Sequence, residues 1–156
     1  MAADAWKSYN KFKEYLGEGY IDLDGDNLRL ALFLSTSNAA TLTNSAYADL
    51  TNELATANGY IQGGFPLTGV TWTESSGTVT FDCNDPTLTA SGGTLTFRFA
   101  VIYVLRTISA PTGTITNPLI CQSLLDNTPA DVSITTGNTL TFQINASGIL
   151  TLSGAS

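Results

Sequence analysis

The apolar residues of this chain follow two patterns, alternation with threonine and short continuous runs. Alternation recurs in Gly77-Thr78-Val79-Thr80-Phe81, in Gly93-Thr94-Leu95-Thr96-Phe97 and in Gly137-Asn138-Thr139-Leu140-Thr141-Phe142. A period of two sends every second side chain to the same face, so each phrase predicts entry into a half-buried strand. The spacing between the copies is irregular, which excludes a solenoid repeat. Apolar runs occupy Leu28 to Leu34, broken only by Arg29, and the stretch ending at Leu105. They predict mostly buried strands, and Gly93 to Tyr103 reads as one strand entering the middle of a packed sheet.

Other elements are shorter. Tyr9, Phe12 and Leu16 fall at i, i+3 and i+7, with Trp6 a turn earlier on the same side, Asp4 placed to cap and Gly17 to stop; this predicts a short helix within an N-terminal arm over residues 1–17. Tyr47, Leu50 and Leu54 repeat the spacing and predict a second one. Asp24-Gly25-Asp26-Asn27 between Tyr20–Leu23 and Leu28–Leu34 reads as a hairpin turn. The Pro/Gly/Thr-rich segment from Arg106 to Pro118 interrupts the strand rhythm, and reads either as a contact arm or as a disordered surface excursion. From Val70 onward, turn signals follow closely: Ser75-Ser76-Gly77, Asn84-Asp85-Pro86, Ser91-Gly92-Gly93, Thr136-Gly137-Asn138 and Ala146-Ser147-Gly148. The predicted fold is therefore mainly β, an antiparallel jelly-roll or β-sandwich-like single domain over residues 1–156 with one or two short helices. A chain of this length buries about 68 to 70% of its unfolded surface, enough for one core.

Composition narrows the chemistry. Thirteen acidic residues against six basic give a net charge of -7, and half of the cations, Lys7, Lys11 and Lys13, lie at the N-terminus. Such a surface repels phosphate backbones, so no direct nucleic-acid partner is expected. No apolar run is long enough to span a bilayer and no export signal is visible, so the expectation is a soluble protein made without export and without a membrane partner. Two cysteines, Cys83 and Cys121, then read as buried, reduced thiols.

The chain has no histidine, which removes the commonest general base and the usual zinc ligand. Cys83 has acidic neighbours, Asp82 and Asp85, which disfavour a thiolate nucleophile. Asp22, Asp24 and Asp26 alternate like the start of a calcium loop, yet Asn27 and Phe33 stand where that loop needs glycine and glutamate, so a solvated turn is the better reading. Trp72 and Tyr103 lie in strand-like runs and read as core rather than as sugar platforms. No phosphate-cradling loop follows Gly92-Gly93 or Gly63-Gly64. The expectation is a protein without catalytic residues, metal ligands or cofactors, and not an enzyme.

Several phrases resemble a family of tailed-bacteriophage virion proteins: Tyr9-Asn10-Lys11-Phe12-Lys13-Glu14, Ile21-Asp22-Leu23-Asp24 and Ala31-Leu32-Phe33-Leu34-Ser35-Thr36 near the start. Leu50 to Leu54, Asn58-Gly59-Tyr60, Leu67 to Trp72, Ala100-Val101-Ile102-Tyr103 and Asn145 to Ile149 are similar to phrases further along it. The resemblance implies a capsid decoration (cement) protein that binds the outer face of the major capsid shell, on the virion exterior, after synthesis in the host bacterial cytoplasm. It also implies a homo-oligomer with the major capsid protein as partner. The alternatives are a tail or head-to-tail structural protein and a virion knob binding receptor or carbohydrate. For shell contact the candidates are Trp6, Lys7, Tyr9, Lys11, Phe12 and Lys13, an aromatic group flanked by cations; the competing reading is a helix packed across its own sheet.

Overall fold

The computed structural model describes residues 2–154. Along the chain the elements are β1 (Lys7–Ser8), α1 (Asn10–Gly17), β2 (Leu28–Phe33), β3 (Phe65–Pro66), β4 (Thr71–Ser75), β5 (Thr78–Asp82), β6 (Thr87–Thr89) and β7 (Leu95–Phe97). They continue as β8 (Phe99–Val104), β9 (Thr107–Ala110), β10 (Gly113–Thr116), β11 (Leu119–Leu124), β12 (Val132–Ile134), β13 (Thr139–Thr141) and β14 (Leu150–Ser153). All pairings are antiparallel, and the fold is mainly β and sandwich-like, as the alternation predicts. Among the described residues no helix is long and apolar enough to cross a membrane.

One sheet organises the rest, in the order β1-β11-β8-β2-β3. Its two central strands, β2 and β8, pair from Leu28↔Val104 to Phe33↔Phe99 and are the two continuous apolar runs. Continuous runs suit this position because both faces are covered. On one face Leu28, Leu30, Leu32, Ala100, Ile102 and Val104 pack against Phe81, Leu88, Leu95, Phe97, Val132, Ile134 and Phe142. Those residues come from three small sheets, β14-β5-β4, β12-β7 and β13-β6. Fully burying a side chain of this kind contributes about 1.5–3 kcal/mol, so this interface is the main stabilising region. On the other face Ala31, Phe33, Val101, Tyr103 and Leu119 meet Tyr9 and Ala39, with Leu42, Tyr47 and Leu50 packed around them.

The three Gly-Thr-apolar-Thr phrases do enter strands β5, β7 and β13, and each sends its phenylalanine inward: Phe81 and Phe97 are fully buried and Phe142 is nearly so. Their threonines face out, where Thr89 and Thr139 hydroxyls meet at 2.7 Å across β6 and β13. The stretch from Gly93 to Tyr103 is not one strand. It breaks at Arg98, whose backbone N–H donates to Phe33 O and whose C=O accepts from Leu125 N, so the chain leaves one layer at β7 and joins the other at β8.

Three local expectations are corrected. Residues 20–23 form no strand; the Asp-Gly segment closes on itself, with Asp26 N donating to Asp22 O at 2.8 Å, and β2 instead pairs with the distant β8 and β3. The helix expected over Tyr47, Leu50 and Leu54 is only a single 3₁₀ turn, Tyr47–Asp49, because Leu50 is already extended. The Arg106–Pro118 segment is an ordered hairpin, β9 with β10, whose Ile108 and Ile115 face each other inward while Thr107, Ser109, Thr114 and Thr116 face solvent.

Candidate functional site

The N-terminal segment is built into the fold. Asp4 caps no helix: its backbone N–H donates to Leu124 O, Ser123 Oγ donates to its C=O, and α1 begins only after Tyr9. Between them β1 pairs Lys7↔Gln122 and Ser8↔Cys121. Of the six contact candidates, two rings are taken up by the protein itself. Tyr9 is fully buried on the loop-covered face with its hydroxyl donating to Ala39 O at 2.7 Å, and Phe12 is buried in the sandwich core. Packing, not surface display, occupies them.

The other four remain at the surface. Lys7 pairs with Asp4 at 3.3 Å and Lys11 with Glu14 at 2.7 Å, while Lys13 forms no ion pair among the described residues. Lys11 and Lys13 are two residues apart on α1, about 200° around its axis, so the cations do not converge on one patch. Exposed pairs of this type contribute little to stability. Trp6 is half-buried and lines a groove of about 880 Å³. One wall is Ala3 to Trp6, the other is Leu140 to Ile149, and Ser123, Leu125 and Val132 lie between them. Its volume falls in the range of ordinary ligand clefts. Nothing local in the sequence marks this groove, since its walls are more than a hundred residues apart.

A second concavity, of about 440 Å³, is lined by Phe33, Tyr47, Leu50, Glu53, Gln62 and Gly63, among others. It holds a cluster of polar groups around Glu53. Glu53 accepts from Tyr60 Oη–H at 2.7 Å, from Gly63 N–H at 2.6 Å and from the Tyr47 hydroxyl. Tyr60 Oη in turn accepts from Leu32 N–H of the central sheet at 3.0 Å. Tyr103 and Arg29 both donate to Gly63 O, at 2.8 and 2.9 Å, and the Tyr47 and Tyr103 rings stack with centroids 4.5 Å apart. Burial raises the Tyr60 and Tyr47 phenols well above the ordinary value, with Glu53 adding to the effect. Three donors already converge on the Glu53 carboxylate, so the cluster fastens the loop to the sheet. Gly64 shows how close that contact is: its φ is +72°, and a Cβ there would lie 2.0 Å from Leu30 O.

Elsewhere the chemistry is also committed. Asp22 Oδ1 accepts from Gly25 N–H and Asp26 Oδ2 from Asp22 N–H, while Asp26 Oδ1 pairs with Arg106 at 2.8 Å. The turn is thus closed by its own carboxylates and tied to the β9–β10 hairpin, and Asp26 is nearly buried rather than solvated. Among the described residues no group of His, Cys, Asp or Glu is arranged to hold a metal ion. Cys83 and Cys121 are both free and buried. Burial first, then Asp82 and Asp85, pushes the Cys83 thiol up to about 11, the wrong direction for a nucleophile. Tyr103 is buried on the loop-covered face, and Trp72 is half-buried against the sandwich core on the other.

Compared with models of protein families, with curated proteins and with solved structures, the chain matches none of them.

Proposed function

We propose that this protein is a decoration protein of a tailed-bacteriophage head, binding the outer face of the major capsid shell and acting by assembly rather than by catalysis. One observation carries this reading: several of the phrases that resemble virion proteins meet at the central sheet. Ala31–Phe33 pairs with Phe99–Val101, Tyr9 packs on the same face, and Leu50, Glu53 and Tyr60 belong to the cover over it. This part of the likeness falls around the central sheet, whereas Leu67 to Trp72 leads into β4 and Asn145 to Ile149 lies in the turn before β14. A net charge of -7 suits a position outside the shell and away from nucleic acid.

In this reading the shell contact centres on Trp6 and the groove beside it, with Lys7, Lys11 and Lys13 as separate cations around it, and Tyr9 and Phe12 hold that surface in place from within. A cement protein stabilises a shell because it binds the assembled lattice better than the free subunits. The test is cryo-EM of the virion that carries this protein, with its copy number measured against the major capsid protein. Density repeated over the capsid lattice, at comparable stoichiometry, is the expected result; density confined to neck, tail or fibre rejects it in favour of the other virion roles. Trp6→Ala should weaken shell binding about tenfold or more, in keeping with a buried aromatic anchor, without changing the fold by circular dichroism.

A further inference from the structure

Two strands of this protein part where the chain would let them pair. β12 and β13 are joined by a tight turn, in which Asn138 N–H donates to Thr135 O at 3.0 Å. Such a turn ordinarily closes a hairpin. Here β12 pairs with β7 and β13 with β6, so the two strands diverge directly beyond the turn. The groove beside Trp6 opens where they part: Val132 and Thr141, each three residues out from the turn, both line it. The side of β13 away from β6 is a free edge. Phe142 N–H donates to Pro86 O and Ala90 N–H to Asn138 O, and bonded positions alternate along an antiparallel strand, so the N–H and C=O groups of Thr139 and Thr141 point away from β6. Gln143 continues that edge and makes no backbone hydrogen bond among the described residues. Beside it Trp6, Leu125, Leu140 and Ile144 are each half-buried.

We infer that this groove takes an extended segment of a partner protein, which adds to the free edge of β13 as a strand and carries apolar residues at alternate positions with lysine or arginine between them. The inference rests on the reading of the Trp6 groove as a contact site and names what enters it. Backbone groups on a strand edge select an extended chain, because a helix has its own N–H and C=O groups bonded internally. From Thr139 to Gln143 the edge offers roughly 17 Å, the length of an ordinary short strand. The period of two turns every second side chain of the occupant into the groove, against Trp6, Leu125 and Leu140, and the others outward. Charge decides the outward set. No cation lines the groove: Asp4 is its one ionisable lining residue, Asp85 accepts from Ile144 N–H in one wall, and the whole chain carries -7. A cationic segment is attracted, while an acidic one, a second copy of this chain included, is repelled. What separates this edge from the other uncharged ones is the apolar groove at its side.

The test is titration of the 156-residue protein with a blocked peptide of about ten residues alternating valine and lysine, followed by amide NMR and hydrogen exchange. Saturable shifts should centre on residues 3–6 and 139–149, and the amides of Thr141 and Gln143 should gain protection. The same peptide N-methylated at alternate backbone nitrogens, and a version with glutamate for lysine, should each bind about tenfold more weakly or worse. These controls leave the protein unchanged, so no folding defect can imitate them. Trp6→Ala should weaken binding of the valine–lysine peptide by a similar factor, and Thr114→Ala on β10 should leave it intact. No saturable binding at millimolar peptide overturns the inference, as do shifts outside the groove or equal binding of either control peptide. Shifts at residues 139–149 that grow with protein concentration in the absence of peptide would give the groove to a second copy and overturn it too. Cryo-EM density over the capsid lattice together with no peptide binding would reject this inference and leave the capsid reading in place; peptide binding with density confined to the tail would do the reverse.

Discussion

The two faces of the central sheet are covered in different ways. On the sandwich face, strands with alternating residues lay Phe81, Phe97 and Phe142 against Leu30, Leu32 and Ile102. On the opposite face irregular chain supplies Ala39, Leu42, Tyr47 and Leu50, and polar bonds hold it down: Tyr9 to Ala39, Asn38 to Asp49 and Thr51, and the Glu53 cluster. A strand satisfies its backbone through its ladder and needs only an apolar face. An irregular cover must find a partner for each backbone group separately, so it depends on side chains such as Glu53 and Asn38. The first face is therefore stabilised mainly by burial, and the second by burial and specific hydrogen bonds together.

Truncation should separate the two faces most sharply. Phe81→Ala, on the sandwich face, should lower stability by about 3–5 kcal/mol through the cavity it leaves, measured by denaturant unfolding. Glu53→Ala should cost about 2–3 kcal/mol by leaving the buried Tyr60 phenol, the half-buried Tyr47 phenol and the Gly63 N–H without their acceptor. Its mark should be local: faster amide exchange over residues 50–64, with β8 still protected. Uniform loss of protection in that variant would show that the cover and the sandwich unfold as one unit.

A smaller effect comes from alkaline pH. The Cys83 thiol is raised from 9.0 to about 11 by burial, and the phenols of Tyr47 and Tyr60 are raised above 10.0. The unfolded chain therefore releases these protons at lower pH than the folded one. Their contribution is complete below about pH 9 and is lost as pH rises through the folded values, so denaturation midpoints should fall above about pH 9 and more steeply above 10. A flat profile to pH 11 would mean that these groups titrate alike in both states.

Much of the β architecture was legible because alternation is a property of neighbours along the chain. Thr78 to Phe81 states which face is inward whatever it pairs with. The errors came where the partner mattered. Asp24-Gly25-Asp26-Asn27 has hairpin chemistry, but β2 has a better partner in β8, about seventy residues away, and the turn is closed instead by Asp22, Asp26 and Arg106. Thr107-Ile108-Ser109 and Thr114-Ile115-Thr116 do alternate, a signal hidden by the proline and glycine of the turn between them. Within the candidate site, the lysines and Trp6 are surface or groove residues, whereas Tyr9 and Phe12 obey the same spacing for a different reason, namely that it fills the protein's own core.

By itself the sequence determined that the chain is mainly β, where three strands begin, and that β2 and β8 are buried. Only the tertiary structure decided that β2 joins β8, that the long strand changes layer at Arg98, that Glu53 fastens a loop, and that β12 and β13 part beyond their turn. The physical reason is range. Periodicity and turn chemistry act between residues a few positions apart, while pairing, polar satisfaction and edge exposure depend on groups brought together only when the chain has folded.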